Sequence, residues 1–122
     1  MKESSSKFKT DIKKRTYLYA LRIIKLLDTL PKNSINKILT EQLLRSATSI
    51  GANIIEAQAA SSKRDFSRFL QIALKSANES KFWLGLLRDA KRMPKEKIEP
   101  LLQETKEISN ILAKSLLTLK NH

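Results

Sequence analysis

Residues 42–57, QLLRSATSIGANIIEA, set Gln42, Ser46, Ser49, Asn53 and Glu56 at spacings of four, three, four and three. On a helix this rhythm gathers one stripe, and the side chains on it are those of acid/base and nucleophilic chemistry. The rhythm returns downstream in Ile72, Ser76, Glu79, Trp83 and Leu86, with a carboxylate at its centre. Glu56 and Glu79 have the chemistry of a general acid and base, and Ser46 or Ser49 that of a nucleophile. The rest of the sequence withholds what either needs. The one histidine is His122, the C-terminal residue, and there is no cysteine. No Glu-x-x-His motif supplies the ligands of a di-metal bundle, and no glycine-rich loop cradles a phosphate. A serine nucleophile has no histidine base, and no buried lysine is evident to replace one. Helical nucleases that depend on an Arg-to-His motif are excluded by the same missing histidine. The sequence therefore points away from an enzyme, with no catalytic residues, no metal and no cofactor.

The alternative use of the stripes is a packed polar interface. Arg45, Ser49, Asn53, Glu56, Ser76, Glu79 and Trp83 are the candidates for a buried polar network or a subunit contact. A carboxylate in an apolar stripe, as at Glu79, must find donors or stay protonated, and Ser46, Ser49, Asn53 and Ser76 are the donors at hand. Ala47, Ala73, Ser76 and Ala77 are small enough to let two helices approach closely. Around helix two, Leu39, Leu43, Ala47, Ile50, Ile54 and Ala57 form a core sector beside the polar stripe. The remaining side holds only Glu41, Arg45, Thr48, Ala52 and Ala59. A helix so poorly solvated asks for cover beyond its own bundle, and an exposed Trp83 suits a ring-closing contact between copies.

Four helical segments position these residues, expected at about 9–30, 35–60, 63–91 and 95–119. Pro31-Lys-Asn-Ser34 ends the first, because proline cannot continue a helix and Asn or Ser can cap the next. Ser62 with Asp65 has the spacing of a capping box. Arg92-Met93-Pro94 makes the third break, and the last helix starts either near Pro94, disturbed at Pro100, or at Pro100 itself as a first-turn residue. Ile12, Tyr19, Ile23, Leu26 and Leu30 form the core stripe of helix one, with Ala20, Ile24 and Leu27 beside it. Phe66, Phe69, Leu70, Ala73, Ala77, Leu84 and Leu87 do the same in helix three, and Ile98, Leu101, Thr105, Ile108, Leu112, Ser115 and Leu119 in helix four. Nothing reads as a strand. Short breaks between long helices force antiparallel neighbours, so the fold class is all-α, an up-down-up-down antiparallel four-helix bundle in one domain over 1–122. Residues 1–8 read as a flexible basic tail.

Twenty-four Lys and Arg oppose twelve Asp and Glu, a formal charge of +12 over 122 residues. A compact domain gains nothing from such self-repulsion, so the excess points to an anionic partner. Nucleic acid ranks first, a merely solubilising charge second and an anionic membrane surface third, the last because the basic faces lack an insertion face of Trp, Phe or Leu. No apolar run reaches a membrane span, the N-terminus lacks the apolar region of a signal peptide, and a cysteine-free chain suits the cytoplasm. The cations fall into two groups: Lys13, Lys14, Arg15, Arg22 and Lys25 on helix one, and Arg64, Arg68, Lys75, Arg88 and Arg92 on and after helix three. Phosphate contacts need only a cation within reach, so the pattern supports affinity without sequence specificity. Tyr17 and Tyr19 could stack bases, although the stripe position of Tyr19 places it in the core.

RSATSIGANIIEA followed by SSKRDFSRFLQIALKSANESKFWLGLL resembles the bacterial four-helix-bundle family encoded in intervening sequences of 23S ribosomal RNA genes. The shared pattern is Arg45-Ser46-x-x-Ser49-Ile50 leading into Asn53-Ile54-x-Glu56, then Asp65-Phe66, Phe69-Leu70-x-x-Ala73 and Ser76-x-x-Glu79. The likeness runs over about residues 10–120. It departs at Ala57 and Lys75, where the family usually has glycine. The resemblance implies a bundle that assembles as a ring, typically a homopentamer, and binds nucleic acid. The fold is also similar to that of the accessory variability determinant protein of diversity-generating retroelements, a basic pentamer that binds nucleic acid and a reverse transcriptase. The expected function is thus a non-enzymatic, oligomeric, sequence-tolerant RNA- or DNA-binding bundle. The alternative is a scaffold or accessory subunit for a partner enzyme such as a reverse transcriptase.

Overall fold

The computed structural model describes the backbone of residues 2–121 and the side chains of residues 11–121. The chain forms α1 (Lys2–Asp28), α2 (Ser34–Gln58), α3 (Lys63–Asp89) and α4 (Lys95–Lys120), and no strand occurs among the described residues. α1 starts seven residues before the expected boundary, its backbone running through most of the segment read as a tail. The side chains of residues 2–10, and all of Met1, lie outside what is described.

The breaks work as their residues dictate. The Asn33 side chain caps α2 by accepting from the Asn36 backbone N–H at 2.9 Å. Ser62 caps α3, its hydroxyl accepting from the Asp65 N–H at 3.1 Å. The Asp65 carboxylate does not return to the cap and instead lies 3.7 Å from Arg68, so half of the box forms. α3 ends in a Schellman motif: Arg92 N–H donates to the Leu87 carbonyl at 3.0 Å and Lys91 N–H to that of Arg88 at 3.1 Å. Lys91 takes the left-handed position, with φ 55°. α4 begins directly after Pro94 and carries Pro100 inside it, which settles the two starts left open by the sequence in favour of the earlier one.

Each helix packs on its chain neighbours, and α4 returns against α1. α2 and α3 share the most extensive contact and α1 has the lightest attachment, mostly to α2. Side-chain partners run in opposite directions along neighbours: Ser46 with Ser80 and Ser49 with Ser76 across α2–α3, Lys81 with Ser109 and Arg88 with Glu99 across α3–α4. The expected core stripes are buried at Tyr19, Ile23, Leu43, Ile50, Ile54, Leu84, Leu87, Ile98, Ile108 and Leu112. Three details differ. Phe66 and Phe69 pack at the edge of the core, Ser115 and Leu119 are only half-buried near the end of α4, and Ile24 of α1 is exposed. α1 meets neighbours on two sides only, so its flank beyond Leu27 is left uncovered.

Candidate functional site

The polar stripes divide into three parts. The innermost is a line of hydroxyls through the core. Tyr19 of α1, wholly enclosed, bonds Thr105 of α4 at 2.7 Å, and Thr105 donates to the Leu101 carbonyl at 2.6 Å. Ser46 of α2 and Ser80 of α3 are paired at 2.9 Å, and Ser80 donates to the Ser76 carbonyl. Burial pushes the Tyr19 phenol up to about 12, against which hydrogen bonds with Thr105 and Ser80 act. These bonds satisfy polar groups that would otherwise be costly inside a bundle, and they tie α1 to α4 and α2 to α3. Ser80 was missing from the sequence candidates, yet Ala73, Ala77, Ser80, Leu84 and Leu87 follow one seam at spacings of four, three, four and three. A serine in that seam was the available signal.

The second part lies at the edge of α2–α3. Ser76 donates to the Ser49 hydroxyl at 2.9 Å, and the Asn53 amide donates to the same hydroxyl at 2.9 Å and to the Ser49 carbonyl at 2.8 Å. Ser49, Asn53 and Ser76 are therefore brought together as expected. Glu56 is not, because it sits exposed at the outer side of α2. Glu79 is not a buried acid either. It is 36% exposed and accepts from Arg45 at 2.7 Å, with Arg45 also bonded to Gln42 at 3.0 Å. The cation that neutralises Glu79 comes from the neighbouring helix, and the serines take no part. Trp83 is half-buried with its indole N–H enclosed and without an acceptor. The exposed aromatic is its neighbour Phe82, at 58%, whose ring meets Trp83 edge to face with centroids 5.0 Å apart.

The third part is the basic surface, and here the structure sorts the ten candidate cations. Arg15 turns inward from α1 and grips α4: its Nε and Nη2 donate to the two Glu104 oxygens at 2.7 Å each, and Nη2 reaches Glu107 at 3.0 Å. The Glu104 hydrogen bonds raise its pKa further above an already basic value. Arg88 pairs with Asp89 at 2.9 Å and Glu99 at 3.2 Å, which holds the Asp89 carboxyl below its usual range. Arg68 lies 3.7 Å from Asp65 and stacks over Phe69 at 4.6 Å. Arg92 is half-buried, its Nε enclosed without a partner. By contrast Lys13, Lys14, Arg22 and Lys25 on α1, with Arg64 and Lys75 on α3, are exposed. None of the six has an ion pair among the described residues.

The four α1 cations share their face with a second signal the sequence reading missed. Tyr17 is 62% exposed, Leu18 48%, Leu21 46% and Ile24 42%. Lys14, Tyr17, Leu18, Leu21 and Lys25 follow helical spacing, so one stripe facing away from the bundle is both basic and apolar. The expectation that the basic faces lack apolar company is overturned. Between α1 and α2 an open apolar groove of about 460 Å³ runs beside Tyr17, floored by Thr16, Ala20, Gly51 and Ala52, with Lys13 and Lys14 at its rim. Gly51 keeps the helices close there, since a Cβ on it would stand 3.2 Å from the Thr16 hydroxyl. Among the described residues no group of three metal-ligating side chains occurs, and no helix is long and apolar enough to cross a membrane.

The chain is thus an all-α bundle whose polar residues tie its helices together. Its exposed cations without an ion pair among the described residues extend beyond α1 to α3 and, as Lys95, Lys97, Lys106, Lys114 and Lys120, to α4. The chain belongs to the 23S rRNA-intervening sequence protein family, whose model matches residues 9–114. It is 38% identical to a protein of unknown function of the S23 ribosomal protein family from Bacteroides thetaiotaomicron. That crystal structure superposes with a TM-score of 0.81 over 86% of this chain and 97% of the other. No curated protein matches.

Proposed function

We propose that the protein binds nucleic acid, largely without sequence preference and without catalysing a reaction, through the outer face of α1. The observation that carries this reading is the set Lys13, Lys14, Arg22 and Lys25, four exposed cations with no ion pair among the described residues in a chain with net charge +12. Unlike the five unpaired lysines spread along α4, they share one helix face with the exposed ring of Tyr17. Arginines used to hold the bundle together, such as Arg15 and Arg88, are spent on acids. These four are not, and phosphate is the group that a row of free cations fits. The family's tie to a 23S rRNA-intervening sequence makes RNA the natural polyanion. Arg64 and Lys75 lie on α3, which is not a packing neighbour of α1, and belong to a separate positive surface.

A titration against salt tests the reading. Four phosphate contacts on a single strand give a slope near −2.8 in log K against log salt, a loss of about 50-fold between ~50 and ~200 mM. Each Lys→Ala in the set should reduce the slope by about 0.7. Absence of binding at low salt rejects it.

A second reading is favoured by the apolar side chains left uncovered elsewhere, Ile38 and Ile55 on α2 and Phe82 and Leu86 on α3. They suit a contact between copies, as in a homopentameric ring, or a partner enzyme held by the bundle. Light scattering tests the first, since a monomer at micromolar concentration excludes it. Co-purification of a protein instead of nucleic acid would favour the second.

A further inference from the structure

Phosphate recognition explains the cations of α1 and leaves its apolar residues idle. A surface made only for a polyanion has no use for Tyr17, Leu18 and Leu21 between Lys14 and Lys25, and keeping them in water has a cost. From this interleaving we infer that the α1 face selects single-stranded RNA or DNA over duplex, with unpaired bases lying on Tyr17 and the leucines while phosphates meet the lysines. The inference rests on the nucleic-acid reading above and narrows it to one class of strand.

The chemistry separates the two forms. A duplex stacks its bases inward and offers phosphates, sugars and base edges. Edges are read by hydrogen-bonding groups, and the middle of this stripe, Leu18 and Leu21, has none. An RNA duplex is still less suited, because its major groove is too deep and narrow for side chains to read. A single strand offers both halves of what the helix presents: a charged backbone, and flat apolar base faces that stack on any exposed ring irrespective of sequence. Tyr17 is the ring so placed. It is more exposed than any other large apolar residue of the described chain, it stands three and four residues from Lys14 and Lys13, and it borders the groove toward Gly51, which offers a base a concave apolar seat. With α1 spanning roughly 40 Å at 1.5 Å per residue, the strand would run along the helix and not across it.

A second copy of the chain is a poorer fit for this stripe. It brings another net +12 to a face on which Lys13, Lys14, Arg22 and Lys25 outnumber the two acids, Asp11 and Asp28.

The experiment compares a fluorescently labelled, unstructured RNA oligonucleotide with the same oligonucleotide annealed to its complement, by anisotropy at one fixed salt concentration. The expected result is at least ~10-fold tighter binding of the single strand. Tyr17→Ala should weaken single-strand binding by about 5- to 150-fold, the range of one lost base stack of 1–3 kcal/mol, and leave duplex binding unchanged. Tyr17→Phe should retain it, and Lys14→Ala should weaken both forms. Tyr17 is exposed, so circular dichroism should show the variants folded as the parent. Equal or tighter duplex binding, or an equal loss on both forms with Tyr17→Ala, overturns the inference while the nucleic-acid reading stands. Failure to bind either form at low salt overturns that reading itself, and the inference with it. If Leu21→Ser changes the mass in solution and Tyr17→Ala leaves RNA binding untouched, the stripe is a contact between copies and the inference fails.

Discussion

Tyr19→Phe and Thr105→Val cut the same buried hydrogen bond from opposite ends, and the structure makes the two cuts unequal. Both residues are almost wholly enclosed. Thr105 has already committed its hydroxyl proton to the Leu101 carbonyl, so the 2.7 Å bond to Tyr19 must be donated by the phenol. Tyr19→Phe removes that donor and leaves Thr105 with its own proton still bonded. The cost is one neutral hydrogen bond, about 1 kcal/mol. Thr105→Val removes the acceptor and leaves the phenolic O–H only the Ser80 hydroxyl beside it, a weaker arrangement in the core that adds a desolvation penalty and brings the cost to about 2–3 kcal/mol. For a chain of this length that difference corresponds to roughly 4–8 °C in melting temperature. Urea unfolding followed by the helical circular dichroism signal measures both, and unchanged m-values would show that the denatured state is not the cause. The double variant, which removes donor and acceptor together, should cost less than the sum of the two. If Tyr19→Phe proves as damaging as Thr105→Val, the direction assigned to the bond is wrong, and with it the account of how α1 is tied to α4.

The same phenol predicts an alkaline transition. Its pKa is raised from 10 in the unfolded chain to about 12 in the fold, so its contribution is fully present below about pH 10 and is lost as pH climbs through 12, a change of about 2–3 kcal/mol. Tyrosinate absorbance and helix loss should rise together there, and Tyr19→Phe should flatten that part of the stability curve. Gly85→Ala should stabilise by up to about 1 kcal/mol, since an added Cβ meets nothing within 4 Å at this mid-helix site. Gly51→Ala should gain less or nothing, because its Cβ would press on Thr16 at 3.2 Å, and thermal melts of the two variants give the comparison. Lys91→Gly should raise stability by about 0.5–1 kcal/mol in the same assay, because Lys91 holds a left-handed φ of 55° at the end of α3.

The helices and the core were legible because they depend on local rules. Spacing of apolar side chains, Pro31, Asn33, Ser62 and Pro94 fix where helices run and stop, and Tyr19 was assigned inward by its stripe alone. The family pattern was legible too, and Ser49, Asn53 and Ser76 do meet. What escaped was decided by neighbours. A helical wheel gives the direction of a side chain and not what lies across from it, so Glu79 looked buried until Arg45 appeared on the adjacent helix. Trp83, read as exposed, is half-buried for the same reason, and Phe82 beside it is the exposed ring. The basic candidates could not be sorted at all from sequence, since Arg15 and Lys14 differ only in that Glu104 and Glu107 face the first. The apolar half of the α1 surface was hidden because Ile24 read as flanking the core and Leu18 and Leu21 fell on no stripe, until the light packing of α1 left all three outside.

That light packing also sets where the native chain opens first. With the broadest contact between α2 and α3, and α1 held chiefly by one neighbour, the Arg15 fork and the Tyr19 hydroxyl, the cheapest excursion from the closed state lifts the first helix and leaves the other three together. Its amide protons should exchange with deuterium soonest, and a protease should nick there ahead of global melting. A surface built on such an element is paired with a hinge: a ligand lying along it would slow that opening, and protection of α1 would report occupancy without any label.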